Sequence, residues 1–279
     1  MYKDGKWAKE ILNQQRRDGA FGWFHSLSSS SGTPLTTEMA LRRLERLGYG
    51  KEDTCIQKAL SYMHACLIGE IKIPDREEKV QDWPVFCRMI LAAWICRFTD
   101  EDSDANRIAE QWTQGITESF RNGRYDDQVM QKAYCDTFHT SSKSGRLIRY
   151  SNFYPISLMA GRLDVKTEER MLDDLIQRVD GIYYVYDHRI MQLPAVFQSR
   201  DASRYLAALE LLGRYPGARG KLQFAVDWLN EMKNESGHWD MGTAVNDKVY
   251  FPLSDDWRKK ENRIKDCTLR IEHLLNKLQ

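Results

Sequence analysis

A short motif repeated five times constrains this chain more than any other feature of its sequence. Each copy is a glycine, one spacer residue and a large apolar or aromatic residue, and it follows a stretch with helical spacing. The intervals between the glycines are 50, 54, 58 and 56 residues. Helical hairpins repeated at such a period need neighbours to bury their apolar faces, so the pattern predicts stacked hairpins. The copies begin at Gly19, Gly69, Gly123, Gly181 and Gly237.

Each repeat is predicted to contain two helices of different character. Glycine suits the end of the first helix because it adopts the left-handed conformation without steric penalty. The aromatic residue that follows is expected to fold back over the helix end. Residues 219–233 are apolar on one side, which indicates an outer helix. Residues 83–98 are apolar nearly all round, which indicates an inner helix enclosed by others.

Extended to every repeat, this pattern predicts an all-α fold, an α/α toroid of about five helical hairpins in one domain over residues 1–279. The last helix is expected to pack beside the first, and residues 126–147 are interpreted as an insertion over one rim, helical in its first half. The predicted outer helices are 5–16, 52–67, 104–120, 166–178 and 219–233, and the inner ones are 36–48, 83–98, 150–162, 200–213 and 261–278.

The connections between the predicted helices differ in length. Those from an inner helix to the next outer helix are short, whereas those from outer to inner are longer and richer in aromatic and charged residues. In an alternating barrel all the long connections emerge at one rim, and long loops are the usual place for a binding site. The N-termini of the inner helices open onto that rim and favour an anionic group there.

Composition narrows the class of partner. Lys and Arg number 41 and Asp and Glu number 40, with no long block of either sign, so we expect a small-molecule ligand and no nucleic acid. The six cysteines form no CxxC pair, and we expect reduced thiols, no bound metal and no cofactor. The N-terminus lacks an apolar signal region and no stretch is apolar enough to span a bilayer, so we expect a cytoplasmic protein without an integral membrane segment. The oligomeric state is left open.

The repeat resembles the QW motif of the squalene/oxidosqualene cyclase and protein prenyltransferase superfamily, in which an apolar pair precedes x3-Gln-x3-Gly-x-Trp. Residues 10–21 and 228–239 are similar to it in register, and 177–183 over its second half. The stretch Thr33-Pro-Leu-Thr-Thr-Glu-Met-Ala-Leu41 also resembles an inner helix of that superfamily. The resemblance implies an α/α toroid that binds a hydrophobic, isoprenoid-type molecule in a central cavity, with acid-initiated chemistry as a further expectation.

Two catalytic signatures of that superfamily are missing from the sequence. The DxDD acid motif of class II terpene cyclases is not present. The most similar segment is Arg124-Tyr125-Asp126-Asp127, in which Arg124 replaces the first aspartate of the motif. The Asp-x-Cys and distant His that bind zinc in protein prenyltransferases are also missing. The resemblance therefore supports the fold more than either reaction.

Four aspartates near the predicted rim are the candidate acids. Asp82 begins the most apolar helix and is favoured as its N-cap. Asp266 lies on the last inner helix, where an unpaired carboxylate would cost several kcal/mol, so it is expected to have a partner such as Arg263 or a ligand. The candidate catalytic residues are Asp82, Asp201, Asp240 and Asp266.

Basic and aromatic residues of the same rim are the candidate ligand contacts. Arg200 and Arg204 share one face at the start of an inner helix and would suit a diphosphate or carboxylate. The alternative is that they pair with Asp187 or Asp240. Aromatic faces could stabilise a cation or stack on a sugar, or simply fill the core. The candidate substrate-binding residues are Trp83, Tyr154, Arg200, Arg204, Tyr205, Trp239, Tyr250 and Arg258.

Three functions are compatible with these residues. The first is a terpenoid cyclase/prenyltransferase-like protein, and the second is a carbohydrate-active α/α barrel that uses two rim carboxylates. The third is a non-catalytic binding module that retains the toroid. One carboxyl deep in an aromatic pocket would favour the first, two carboxylates in a wet groove the second, and a cavity filled by its own side chains the third.

Overall fold

The protein is α-helical in the computed structural model, which describes residues 2–25, 35–79, 82–141 and 147–279. Within these ranges it contains helices, short 3-10 turns and isolated β-bridges, but no β-strand. The predicted all-α class is confirmed. The helices are α1 Lys6–Leu12, α2 Thr37–Arg46, α3 Thr54–Leu67, α4 Trp83–Phe98, α5 Ser103–Ser119, α6 Asp127–Phe138, α7 Phe153–Met159, α8 Val165–Gln177, α9 Arg200–Leu212, α10 Gln223–Glu231 and α11 Lys260–Leu278.

The boundaries follow the sequence pattern closely, and α4 has the predicted ends. The largest departures are at α1, α7 and α10, which are shorter than predicted. Before α10 the chain forms a separate 3-10 turn at Pro216–Ala218, and Gly220 then adopts a φ of 77°, so the α-helix begins only after that break. Thr33 and Pro34, part of the stretch that resembles an inner helix, and residues 142–146 of the proposed insertion lie outside the described ranges.

The five motif glycines all have positive φ, which confirms the predicted left-handed conformation. Only Gly69 directly follows a helix C-cap, and the other four lie three or more residues beyond the last residue of the preceding helix. In the first repeat the Gln15 side-chain amide donates to the Gly19 carbonyl at 3.0 Å and to the Cys55 carbonyl at 2.8 Å. This glutamine therefore ties the end of one outer helix to the start of the next. In the fifth repeat the aromatic residue folds back over the preceding helix as predicted, because Trp239 Nε1 donates to the Leu229 carbonyl at 2.6 Å. In the fourth repeat the prediction that the aromatic residue folds back over the helix end is wrong, because Tyr183 is 51% exposed.

Packing separates the helices as predicted. The enclosed helix α4 is buried over most of its surface and contacts α3, α5 and α7. Further contacts link α7 to α9 and α9 to α11, so four of the predicted inner helices, α4, α7, α9 and α11, are neighbours in chain order. The closed toroid remains a prediction with which these contacts agree. In the segment predicted to be an insertion, α6 packs along α5, an outer helix.

The two ends of the chain are joined by hydrogen bonds, as the repeat predicts. Tyr2 Oη donates to Asp266 Oδ1 of α11 at 2.7 Å. The Lys6 amide donates to Asp255 Oδ1 at 2.8 Å, and Trp7 Nε1 donates to the Ser254 carbonyl at 2.9 Å. The N-terminal segment is therefore fastened both to α11 and to the loop that precedes it.

Replacing Gly181 with alanine should destabilise the protein more than the same change at Gly69. At Gly181 an added Cβ would lie 2.3 Å from the Tyr186 carbonyl oxygen and 2.4 Å from that of His188, whereas at Gly69 nothing lies within 4 Å. Gly69→Ala should cost only the left-handed conformation, about 1 kcal/mol, and Gly181→Ala at least twice that. Urea unfolding of both variants measures the difference, and equal costs would contradict it.

Candidate functional site

A cleft of about 660 Å³ lies between two of the long connections from outer to inner helices. One connection joins α8 to α9 and the other joins α10 to α11, so the cleft lies on the rim that the sequence favoured. Three predicted residues, Arg200, Arg204 and Tyr250, line it. We call it the rim cleft, and its wall is formed by Arg42, Tyr183, Tyr184, Val185, Tyr186, Asp187, Arg200, Arg204, Asn246, Asp247, Lys248, Val249 and Tyr250.

Basic side chains of the rim cleft are largely available to a ligand. Arg200 Nε donates to the Ala244 carbonyl at 3.2 Å. The side chains of Arg204 and Lys248 make no hydrogen bond or ion pair with any other described residue. The alternative that the two arginines pair with Asp187 or Asp240 is therefore wrong. Asp240 instead accepts two hydrogen bonds from the Arg263 guanidinium, at 2.7 and 2.8 Å.

Two acidic side chains of the rim cleft, Asp187 and Asp247, offset part of this charge. Asp247 Oδ1 accepts from three backbone amides of its own loop, those of residues 249–251, so it holds the loop's shape. Asp187 is exposed, and its carboxylate lies 3.8 Å from His188 Nε2. With Arg42 paired to Glu38, the cations of Arg200, Arg204 and Lys248 face the two carboxylates of Asp187 and Asp247, which leaves a small excess of positive charge in the cleft. The cleft can therefore attract an anion.

Beneath the rim cleft lies a buried cluster of Glu38, His25 and Tyr154, which we call the acid–base cluster. His25 Nδ1 is 3.0 Å from Glu38 Oε2, and Tyr154 Oη is 2.8 Å from the same oxygen and 2.9 Å from His25 Nδ1. Arg42 Nη2 donates to Glu38 Oε1 at 2.9 Å, and its Nη1 donates to Tyr250 Oη at 3.3 Å. Arg42 thus connects the cluster to the wall of the cleft.

Electrostatics keep Glu38 ionised despite its burial. Burial alone would raise the pKa of this carboxyl, but the His25 hydrogen bond and the Arg42 charge lower it to about 2. The pKa of Tyr154 is raised, first by burial and then by the neighbouring Glu38 charge. His25 Nε2 is buried without a hydrogen-bond partner and lies among aromatic rings. The cluster was missed because nothing in the sequence relates residue 25 to residue 154.

The four predicted acids are placed in four different surroundings. Asp82 does not cap α4 with its side chain, which corrects the N-cap interpretation, because its Oδ2 accepts from Thr140 Oγ1 at 2.5 Å. Asp201 is half-buried, 4.0 Å from His188 Nε2. The Arg263 hydrogen bonds lower the pKa of Asp240 below its usual value. None of these three lies in the enclosed aromatic pocket that acid-initiated cyclisation would need.

Asp266 is buried and has partners other than the one predicted. Its carboxylate accepts from Tyr2 Oη, from the Leu253 amide at 2.9 Å, and from the amide and hydroxyl of Ser254 at 2.7 and 2.5 Å. The expected pairing with Arg263 is wrong, since that arginine binds Asp240. Asp266 therefore joins the N-terminal segment, a loop and α11.

The predicted aromatic contacts are mainly part of the core. Tyr205 is buried and its hydroxyl donates to the Ile190 carbonyl at 3.0 Å. Trp239 is also buried, and its Nε1 donates to the Leu229 carbonyl. Trp83 is half-buried against Phe86, with ring centroids 5.8 Å apart. Arg258 is exposed and does not line the rim cleft. These residues were grouped by rim position, but their side chains point into the packed interior or into solvent.

A second cavity of about 1020 Å³ lies where α2, α4 and α9 end and α11 passes. We call it the axial cavity. Glu45, Arg46, Arg97, Glu210, Arg214, Arg270 and Tyr250 belong to its wall. Arg97 Nε donates to Glu45 at 2.8 Å, while Glu210 accepts from both Arg46 and Arg270. Sequence reasoning missed this cavity, because its charged side chains come from four helices and a loop that are far apart along the chain.

Among the described residues, His64, Asp102 and Asp104 are the one group of three His, Cys, Asp or Glu side chains whose ligand atoms lie within 4.8 Å of one another. Asp102 Oδ1 caps α5 through the Ala105 amide, and Asp104 pairs with Arg107. These carboxylates already have structural partners.

Comparison with known proteins found no relative. No family model matches the chain, and neither a curated protein nor a solved structure matches it. The resemblance to the cyclase and prenyltransferase superfamily therefore remains a prediction. Over the part of the chain that is described, none of the helices has the length and apolar character needed to cross a bilayer.

Stability at low pH should depend on Glu38. Because the folded-state pKa is about 2, below the ordinary value of 4.5, ionised Glu38 stabilises the fold at neutral pH, and this contribution is lost as pH falls from about 4.5 towards 2. Glu38→Gln should lower the free energy of unfolding by about 3 kcal/mol at neutral pH, since Arg42 loses its partner. Urea unfolding at several pH values should show the gap between variant and wild type narrowing below pH 4.5. A gap that is constant with pH would contradict this assignment.

Asp266 should prove structural. Asp266→Asn turns an amide nitrogen towards groups that donate, so we expect a loss of about 1–3 kcal/mol in the free energy of unfolding. Binding of ligands in the rim cleft should be unchanged at temperatures where the variant is folded. Chemical denaturation and ligand titration test both parts, and a stable variant that no longer binds ligand would show that Asp266 has a direct functional role.

Proposed function

We propose that the rim cleft binds a small molecule that carries a phosphate or carboxylate group on a ring or short apolar body. One observation carries the proposal: Arg200, Arg204 and Lys248 line the cleft without an ion pair to any described residue, and they outnumber its two carboxylates. Guanidinium groups bind phosphate and carboxylate oxygens in a bidentate manner, and the start of α9 adds its helix-end field. The tyrosines of the wall offer flat surfaces for the ring or apolar body.

The isoprenoid-type ligand implied by the QW resemblance fits this site in part. Its diphosphate would suit the basic side chains, and the tyrosines could contact a short prenyl chain. Below the cleft, however, Arg42 and Glu38 form an ion pair, followed along α2 by the Arg46–Glu210–Arg270 network. Burying a long hydrocarbon against these charges would be unfavourable, so a compact ligand is favoured.

Acid-initiated chemistry is the less favoured part of the expectation. Glu38 is the carboxyl closest in character to a buried acid, yet it is held ionised by His25 and Arg42. A carboxylate with a pKa of about 2 does not supply a proton near neutral pH. We therefore propose that the primary activity is ligand binding. Of the three functions considered, the geometry favours the non-catalytic binding module.

The tyrosine-lined wall also gives a specific reason to keep the carbohydrate alternative. Tyrosine faces stack on sugar rings, and charged side chains line the same cleft. A phosphorylated or acidic sugar would use both the rings and the arginines. Such a sugar carries an anionic group, as the ligand of the main proposal does. A titration that compares a phosphorylated sugar with other phosphorylated compounds distinguishes the two.

The double variant Arg200→Gln/Arg204→Gln should lose ligand affinity. Isothermal titration would use geranyl diphosphate, phenyl phosphate and glucose 6-phosphate, at low ionic strength. Loss of two charged hydrogen-bond donors should weaken binding of the preferred compound by at least about tenfold. The control Arg258→Gln removes an exposed arginine outside the cleft and should bind as wild type. Wild-type protein that binds none of the three compounds, or a double variant that binds equally well, would contradict the proposal.

A further inference from the structure

The axial cavity is separate from the rim cleft, although Tyr250 lines both. The Tyr250 hydroxyl accepts from Arg42 on the cleft side, and its ring lies 5.2 Å from the Arg46 guanidinium and 4.7 Å from that of Arg270. This tyrosine and its arginines form a partition between the two spaces. A ligand in the axial cavity would therefore use a different set of side chains from those of the cleft.

Positive charge exceeds negative charge on the inner wall of the axial cavity. Four arginines face two glutamates there, and the glutamates are already shared, Glu45 by Arg97 and Glu210 by Arg46 and Arg270. Arg214 has no carboxylate partner within 4.0 Å among the described residues, and Nη1 donates to the Ser157 carbonyl and hydroxyl at 3.0 and 2.7 Å. The charge of Glu45 reaches Arg214, but the same carboxylate is already ion-paired with Arg97. The guanidinium of Arg214 therefore shares its counter-charge, and an added anion would stabilise it.

Unused donors on two of these arginines point the same way. Arg97 Nη1 and Arg46 Nε are buried nitrogens without a hydrogen-bond partner. A buried donor left unsatisfied costs about 1–3 kcal/mol, so native proteins usually provide it with a partner or a ligand. Both arginines belong to the wall of the cavity. Arg214 and Arg97 are also close enough for the charge of Arg97 to contribute to lowering the pKa of Arg214, after burial, to about 10.

The exposed side of the axial cavity continues the basic surface. Lys265 and Lys277 of α11 belong to its wall and are exposed, as is His273. Asp255 and Asp256 also belong to the wall, but Asp255 accepts from the Lys6 amide and Asp256 from the Arg258 amide. An anion entering from solvent would therefore meet lysines first and arginines deeper in.

We propose that the axial cavity is a second binding site, specific for a compact phosphate-type anion with two or more negative charges. Arg97 and Arg214 would hold it from within, and the exposed lysines of α11, Lys265 and Lys277, would attract it to the open side. Guanidinium groups suit phosphate oxygens through paired donors, and several cations around one cavity favour a multivalent anion over a monovalent one.

Calorimetric titration with inorganic pyrophosphate tests the proposal, with inorganic phosphate and malonate as comparison probes. The intact protein at low ionic strength should bind pyrophosphate more tightly than either comparison probe. Arg214→Gln should weaken pyrophosphate binding by at least about tenfold, because a charged donor is lost from the inner wall. The matched control Arg107→Gln, on the outer helix α5, should bind as wild type.

Two further variants distinguish the axial cavity from the rim cleft. Lys265→Gln/Lys277→Gln changes exposed side chains only, so it should fold normally, and it should weaken pyrophosphate binding by about fivefold. Arg200→Gln/Arg204→Gln should leave pyrophosphate binding at the axial site unchanged while it reduces binding of the cleft ligand. Absence of pyrophosphate binding would overturn the proposal. So would unchanged affinity in the lysine variant, or loss of affinity only in the rim variant, which would assign the anion to the cleft.

Discussion

Charged side chains that α2 places in the interior determine how the rest of the structure is joined. Arg42 and Glu38 link it to the acid–base cluster and to Tyr250, and Arg43 donates to the Pro252 carbonyl of the loop before α11. Glu45 and Arg46 reach Arg97 of α4 and Glu210 of α9. Because a buried charge must have a partner, each of these bonds constrains the position of another element against α2. The apolar core fills the space between the helices, and the ionic contacts help to set their register.

The same requirement shapes the two cavities. On the rim side the charges of α2 are satisfied within the protein, and the uncompensated cations are those of α9 and the loop of Lys248. On the axial side the arginines outnumber the glutamates, so some donors stay without a protein partner. Tyr250 separates the two spaces by accepting a hydrogen bond with its hydroxyl and contacting guanidinium groups with its ring. A protein with this interior is better suited to hold anions than to enclose a long hydrocarbon.

Local pattern was a reliable guide to the fold and a weak guide to the site. The left-handed glycines and the enclosed helix α4 follow from short-range rules on backbone conformation and apolar spacing. For Asp82 and Asp266 the same rules gave the wrong partner, because the donors that bind them, from Thr140 and Tyr2, are distant in sequence. The rim cleft was anticipated where two arginines share a helix face, since that relation is local. The acid–base cluster was not, because it unites three separate segments.

By itself the sequence determined the all-α class, most helix boundaries, the left-handed glycine stops and the rim on which Arg200, Arg204 and Tyr250 meet. Each of these depends on residues within one or two helical turns or on a repeat that can be counted. Only the tertiary structure decided which charges are neutralised. Asp240 pairs with Arg263, Glu38 is kept ionised by His25 and Arg42, and Arg214 forms no ion pair with the described residues. Side-chain electrostatics act over a few ångströms in space, and that proximity is set by the packing of helices that lie far apart along the chain.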